Sequence, residues 1–416
     1  MARFLFLAIY LLGILYFTCR RRNFDAFSMA FFGAAVYFFP AVLGYGSYSS
    51  LGQFVATDLH PESYMVLVVA MAPIIVGSLL NDSRRGRSLA PEREPGTGIR
   101  AADRMTLRVV LALAVFFLLL TIRGVGLDAF SMRKSDLSQQ LGRDFVLFRN
   151  LALFGLVASA ALRMRAYKYT FLALLLVELA LGFRSFLFLG VAAILWMRLT
   201  ELGPLRVVTR GFKYSVAGAA IVVFFTVLKG YLGGVRQAGM EYVRMADFSW
   251  DYLVKTMSAS EPFVIMNNLN MGLFYRFDQP GFDFLRGILV GIFPFAVFIA
   301  PESASRSFSS ELFPEIDYGV AFSPWLDAFS VGGWALLLAF AALYAATLPL
   351  INRFMASGDW IVRAAVFGSA ISWCTYIHRN SISYELTAVR RLLLIAVAAY
   401  LIRYVLLRMT RRKRRA

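Results

Sequence analysis

Cysteine and histidine are nearly absent from this chain of 416 residues: Cys19, Cys374, His60 and His378 are its complement. Two cysteines, both at the edges of apolar segments, exclude a disulfide framework and a thiolate metal centre. No His/Cys/Asp grouping has zinc spacing, and HExxH, GxxxxGK[ST] and GxSxG are missing, as is a DxD-type metal pair outside the apolar segments. Without a phosphate-cradling loop, an ATP-driven transporter is disfavoured. Acidic residues are also scarce, 25 against 43 Lys and Arg, for a net charge of +18. Neither a repeat of fixed period nor an inverted half-and-half symmetry is visible. The first residues, MARFLFLAIYLLGILYFTCRRR, lack a basic n-region and a small-residue cleavage site, so a retained helix is expected there rather than a signal peptide.

What the chain has in abundance is apolar surface, with 59% hydrophobic and 15% aromatic residues. A soluble domain of this length could not bury so much, which makes a polytopic membrane protein the first inference. Apolar segments fall at about 3–19, 25–43, 63–80, 106–122, 145–162, 169–182, 185–198, 214–229, 332–350, 361–377 and 383–405, or about eleven spans. Basic residues mark alternate loops: Arg20 to Arg22; the six arginines of 81–104, a stretch that also reads as a flexible linker; Arg163, Arg165 and Lys168; Arg198 to Lys213; and the tail from Arg403 to Arg415. Placing these inside puts the N-terminus outside and the C-terminus in the cytoplasm. Counting the apolar run at 285–300 as a full crossing would send the RRKRR tail outward, against the charge rule. The run is expected to be a re-entrant or interfacial helix broken at Gly291 and Pro294. The fold class is therefore all-α and polytopic, divided as helices over 1–229, one large outward loop over 230–330, and helices with a basic tail over 331–416. Nucleic acid is not expected as a partner, since the positive charge lies in short loops beside apolar runs; membrane lipids are.

Candidate functional residues gather near the outward loop. Arg184, in the turn Gly182-Phe183-Arg184-Ser185, either snorkels to headgroups or faces inward to an anion. Arg390 and Arg391 are adjacent within the last apolar helix and point about 100° apart, which makes snorkelling of both awkward. They read either as phosphate ligands or as members of an internal ion pair, with Glu385 as a possible partner. Arg236 and Arg244, eight apart in the loop with Glu241 between them, suit a pyrophosphate because guanidinium donates to two oxygens at once. Loop aromatics such as Trp250, Tyr252 and Trp325 fit sugar stacking, a headgroup belt or plain core. Groups able to orient or deprotonate a hydroxyl are Glu241, Glu261, Asp327 and His378, the histidine being equally readable as structural.

GFRS at an outward turn, the loop GIFPFAVFIAPESASRSFSSELFP and the succeeding FSPWLDAFSVGGWALLLAF together resemble bacterial O-antigen or oligosaccharide repeat-unit polymerases (Wzy-type). Asp327, Phe329, Gly332 and Gly333 match that family's acidic residue, aromatic and glycine pair, with Asp where Glu is commoner; the basic residue expected after the loop proline is missing. The resemblance implies a GT-C-like glycosyltransferase of the bacterial inner membrane. It would transfer a glycan from an undecaprenyl-diphosphate donor to a lipid-linked acceptor on the periplasmic face, with no metal or other cofactor. Arg184, Arg236, Arg244, Arg390 and Arg391 would hold the donor pyrophosphate, and a chain-length regulator protein is a conceivable partner. An O-antigen ligase is the near alternative. A flippase or other transporter of lipid-linked oligosaccharide is the alternative from another class.

Overall fold

Within a bilayer nothing but the chain itself can bond backbone N–H and C=O groups, so long apolar runs have to be helices. The computed structural model describes residues 1–20, 23–50, 53–84, 101–126, 132, 137, 140–200, 260–293, 304–313 and 321–413. Its helices are α1 (Ala2–Cys19), α2 (Ala26–Leu43), α3 (Pro61–Arg84), α4 (Ala101–Val125), α5 (Arg143–Ala161), α6 (Arg165–Ala180) and α7 (Ser185–Leu199). They continue as α8 (Glu261–Phe274), α9 (Gly281–Ile292), α10 (Ala304–Leu312), α11 (Pro324–Met355), α12 (Trp360–Thr375) and α13 (Ile382–Lys413), with a 3-10 turn at Tyr376–Arg379 before the last. Eight of the described helices, α1 to α5 and α11 to α13, are long and apolar enough to cross a membrane, so the chain is a mostly helical, multi-pass membrane protein.

Two expectations are modified. The described residues hold eight such helices against the eleven expected: α6 and α7 have 16 and 15 residues, about 23 Å of helix against a hydrocarbon core of about 30 Å. The segment 214–229 lies outside the described residues. Second, the stretch between α2 and α3 is a hairpin, β1 (Tyr45–Ser50) paired antiparallel with β2 (Gln53–Asp58) in the register Tyr45↔Asp58 to Ser50↔Gln53. Gly44 closes α2 in the left-handed conformation, φ 101°, which glycine adopts without steric cost. The strands YGSYSS and QFVATD have the Tyr, Val and Thr content of a β-ribbon.

Of the run 285–300, residues 285–293 are described. α9 stops at Ile292, with Phe293 extended, and its 12 residues reach about 18 Å. Phe282, Leu285, Leu289 and Ile292 form an exposed apolar stripe on it. Its opposite face is glycine: a Cβ on Gly291 would sit 2.8 Å from that of Leu386.

The chain divides into two compact units. The first comprises Met1–Gly86, Leu202–Leu348 and Cys374–Leu386. In it α1, α2 and α3 pack through buried aromatics, and the close approach of α1 to α2 is set by Gly13 against Phe31. At one pole Arg20 joins three helix ends, pairing with Asp25 at 2.8 Å and with Asp82 through two nitrogens. Asp25 also caps α2 by accepting from Ser28 N at 3.0 Å. Burial alone would lower the Arg20 pKa, but the carboxylates of Asp82 and Asp25 hold it above its ordinary value. At the opposite pole the hairpin lies on α8, where a Cβ on Gly46 would meet Asn267 N at 2.5 Å.

The second unit comprises Arg87–Glu201, Pro349–Trp373 and Thr387–Ala416. α4 to α7 form its centre, with Gly155 pressed on Phe171 and Gly190 on Leu156. Arg403 ties α13 to α4 and to the start of α12, through Asp103 at 2.7 Å and Asp359 at 2.6 Å. Trp360 Nε1 donates to Asp103 at 3.0 Å.

Gly46→Val will drive β1 off the α8 backbone and destabilise the protein by about 1–3 kcal/mol, the ordinary cost of overpacking. A thermal-unfolding curve in detergent checks this; a midpoint equal to that of the wild type contradicts the contact.

Candidate functional site

Polar side chains gather at the hairpin pole of the first unit. α8 begins Glu261-Pro262, a proline where its missing N–H costs nothing and a carboxylate where the helix dipole favours it. Further along, three asparagines reach away from this helix. Asn267 Oδ1 accepts from Thr57 Oγ1 at 2.7 Å, and Asn268 Nδ2 donates to Ala321 O at 2.7 Å. Asn270 Oδ1 accepts from His60 N at 2.7 Å and Ser63 Oγ at 2.9 Å, while its Nδ2 donates to Asp58 O at 3.0 Å. All three asparagines are buried, and side-chain amides that bond irregular backbone there remove the cost of leaving it unpaired. Helix α8 is thereby a rigid post for the hairpin, the start of α3 and the segment entering α11.

The turn 376–382 stands against that post. Arg379 Nη1 lies 2.6 Å from Glu261 Oε1, donates to Tyr376 Oη at 3.0 Å, and the guanidinium carbon is 5.2 Å from the Tyr376 ring centroid. Glu261 and Arg379 keep 23% and 27% of their side-chain surface. A pair so open contributes at most about 1 kcal/mol to stability, and it presents both charges to whatever occupies that pole.

Two hydrogen bonds stitch the start of α11 to the same turn. Phe322 N donates to Arg379 O at 3.0 Å, and Ile382 N donates to Asp327 Oδ2 at 3.0 Å. Asp327 thus satisfies one of the orphan N–H groups at the start of α13. It is 2% exposed, and no described residue donates to its Oδ1. Beyond it, α11 breaks at Gly332 (φ −141°) and Gly333 (φ 57°, ψ −147°). The second of these conformations is one that only glycine takes readily.

His378 is wholly buried in an aromatic cage. Its Nδ1 accepts from Trp325 Nε1 at 3.1 Å, the two rings stack at 5.8 Å, and Phe38, Tyr37 and Tyr344 close the other sides at 5.1, 6.1 and 6.3 Å. Accepting at Nδ1 places the proton of the neutral ring on Nε2. The histidine holds α2, α11 and the 3-10 turn together.

Of the four expected acid/base residues, Glu261, Asp327 and His378 therefore all engage the turn 376–382 or its immediate flank. Glu241 lies outside the described residues, as do Arg236 and Arg244. Arg184 is in the second unit as the residue preceding α7, with backbone φ −115° and ψ −13°, and is partly exposed. Arg390 and Arg391 are in the second unit on α13, both partly buried. All three have interactions within the protein. Glu385, wholly buried, accepts from Asn380 Nδ2 at 2.6 Å.

Sequence reasoning passed over Arg379 as a site residue, the asparagines of α8, and the pair Arg149–Glu178, whose Nε to Oε1 distance is 2.8 Å. The signals were present: NNLN inside an apolar helix, and one glutamate in LALLLVELALGF. Ionisable residues in such runs are costly and call for a partner. No family model, curated protein or solved structure matches this chain.

Asp327→Ala will lose the cap on α13 and about 1–2 kcal/mol, whereas Asp327→Asn keeps an oxygen for Ile382 N and loses less, since Asn and Asp cap about equally well. Thermal unfolding of the two purified variants separates them; equal losses contradict the capping role.

Proposed function

We propose that this chain is a membrane glycosyltransferase that polymerises lipid-linked oligosaccharide repeat units, taking the growing glycan from an undecaprenyl-diphosphate donor. The observation that carries the reading is the convergence of Glu261, Asp327 and Arg379 on one turn of the first unit. In the orientation given by the basic loops, the hairpin pole of that unit faces the periplasm and the Arg20 pole faces the cytoplasm.

Breaking the bond between the sugar carbon and the phosphate oxygen leaves the electron pair on the lipid diphosphate, and forming the new bond releases the proton of the acceptor hydroxyl. Guanidinium groups fixed before the reaction stabilise the first charge without reorganising; the chain offers Arg184, Arg390 and Arg391 for this role, with Arg236 and Arg244 from the loop. A carboxylate within hydrogen-bond reach of the hydroxyl takes the proton. Our candidates for that role are Glu261, partly exposed and paired with Arg379, and the Asp327 oxygen not used for capping. A ligase that moves the same donor glycan to a different acceptor uses the same residues and differs in the acceptor alone.

The break at Gly332–Gly333 beside a buried acid favours a second reading, since transporters bind cargo at interrupted helices. Position argues against it. The residues from 334 to 355 that follow the break are helical and about 33 Å long, enough for a whole crossing. The break therefore sits at the end of a span, whereas transporter sites lie near the bilayer midplane.

Purified protein in detergent, supplied with lipid-linked repeat units, will form polymer with no membrane compartment present, and Arg391→Ala will abolish chain extension while accumulating normally. Absence of polymer from the wild-type protein contradicts the proposal; polymer of wild-type length from Arg391→Ala removes that arginine from the site.

A further inference from the structure

We infer that Arg149 and Glu178 are positioning residues for Arg184, holding the turn between α6 and α7 so that its guanidinium meets the donor diphosphate. This rests on the proposed function for the role of Arg184 and goes beyond it in naming what fixes that residue.

The observations all lie within the second unit. Arg149 is six residues into α5, about 9 Å along the helix, and keeps 14% of its side-chain surface; Glu178 near the end of α6 keeps none. Their ion pair neutralises a charge that neither helix could carry alone in an apolar setting. Among the described residues, Arg149 also meets the turn and the ring beneath it. Nη2 donates to Ser185 Oγ at 2.9 Å. The guanidinium carbon lies 4.1 Å from the centroid of Phe186, 5.1 Å from Phe145 and 5.5 Å from Phe183, distances at which a desolvated cation is attracted to ring faces. Phe145 and Phe183 themselves meet at 5.1 Å.

Arg184 is thus bracketed. Phe183 before it and Ser185 and Phe186 after it are all bound to one guanidinium. The backbone adds a second restraint: Phe183 N donates to Glu178 O at 3.0 Å and Gly182 N to Leu179 O at 2.9 Å, with Gly182 at φ 89°. The residue carrying Arg149's counter-charge also supplies the carbonyl that closes the turn. With both neighbours fixed, the backbone of Arg184 is held in place. A preorganised donor binds an anion more tightly than one that must first be ordered.

The probe is farnesyl diphosphate, a short soluble isoprenoid diphosphate, titrated into purified protein in detergent. Arg184→Ala is expected to weaken binding about tenfold or more, the cost of losing a charged hydrogen-bond donor. Arg149→Lys, which keeps the charge and loses the fork, and the milder Ser185→Ala should each weaken it severalfold. The decisive variant is Arg149→Lys combined with Arg184→Ala: it should bind no worse than Arg184→Ala alone, because a residue acting through Arg184 has nothing left to act on. Ser185→Ala/Arg184→Ala repeats the cycle should Arg149→Lys not fold. If Arg184→Ala binds like the wild type, the diphosphate role of Arg184 fails. If Arg184→Ala is weakened but Arg149→Lys and Ser185→Ala bind like the wild type, or if their losses simply add to that of Arg184→Ala, the positioning role is overturned while the diphosphate reading stands.

Discussion

A charge carried into an apolar helix must find its counter-charge inside the protein, and the fold is arranged around that requirement. Among the described residues, the buried ion pairs tie separate helices together. Arg20 reaches Asp82 and gathers α1, α2 and α3. Arg403 reaches Asp103 and Asp359, joining α13 to α4 and to the loop before α12. Arg149 reaches Glu178 and fastens α5 to α6. Hydrophobic attraction between helices is weak in lipid, where the tails are as apolar as leucine. Such pairs, together with glycines that let helices close in, then decide which helix neighbours which.

The same requirement separates structural charges from available ones. Arg149 is ion-paired with Glu178, donates to Ser185 and lies against phenylalanine rings. Arg379 is different: both it and its partner Glu261 keep part of their surface open. Asp327 is intermediate, one oxygen committed to the first N–H of α13 and the other without a described donor. Groups of the second and third kind gather on one turn. His378, although chemically the most versatile residue in the neighbourhood, is enclosed by four aromatic rings and belongs to the scaffold.

Much of this was legible from sequence because apolar length and basic loops follow directly from the physics of the bilayer. The multi-pass helical architecture follows from counting residues against membrane thickness. Other features were not visible that way. The hairpin at 45–58 escaped because its strands are short and lie in what reads as a loop. The importance of Asn267, Asn268 and Asn270 depends on partners some 210 residues away in the first and third cases, and spacing within α8 gives no hint of them. Arg184, Arg390 and Arg391 were visible as charges at or within apolar runs, but what each one touches is a property of packing. The Arg149–Glu178 pair announced its existence through composition, yet its bearing on Arg184 appears only once three phenylalanines and a serine are seen around one guanidinium.

Everything proposed for this chain requires that the protein hold lipid diphosphate at these residues. Photoaffinity labelling tests that directly, using a farnesyl diphosphate analogue with a diazirine beside the diphosphate, followed by peptide mapping of the purified protein. Labels are predicted at 182–186 and 387–391, around Arg184, Arg390 and Arg391, competed away by unlabelled farnesyl diphosphate. Labels spread over the exposed apolar surfaces of α1 and α4, and unaffected by competitor, would contradict it.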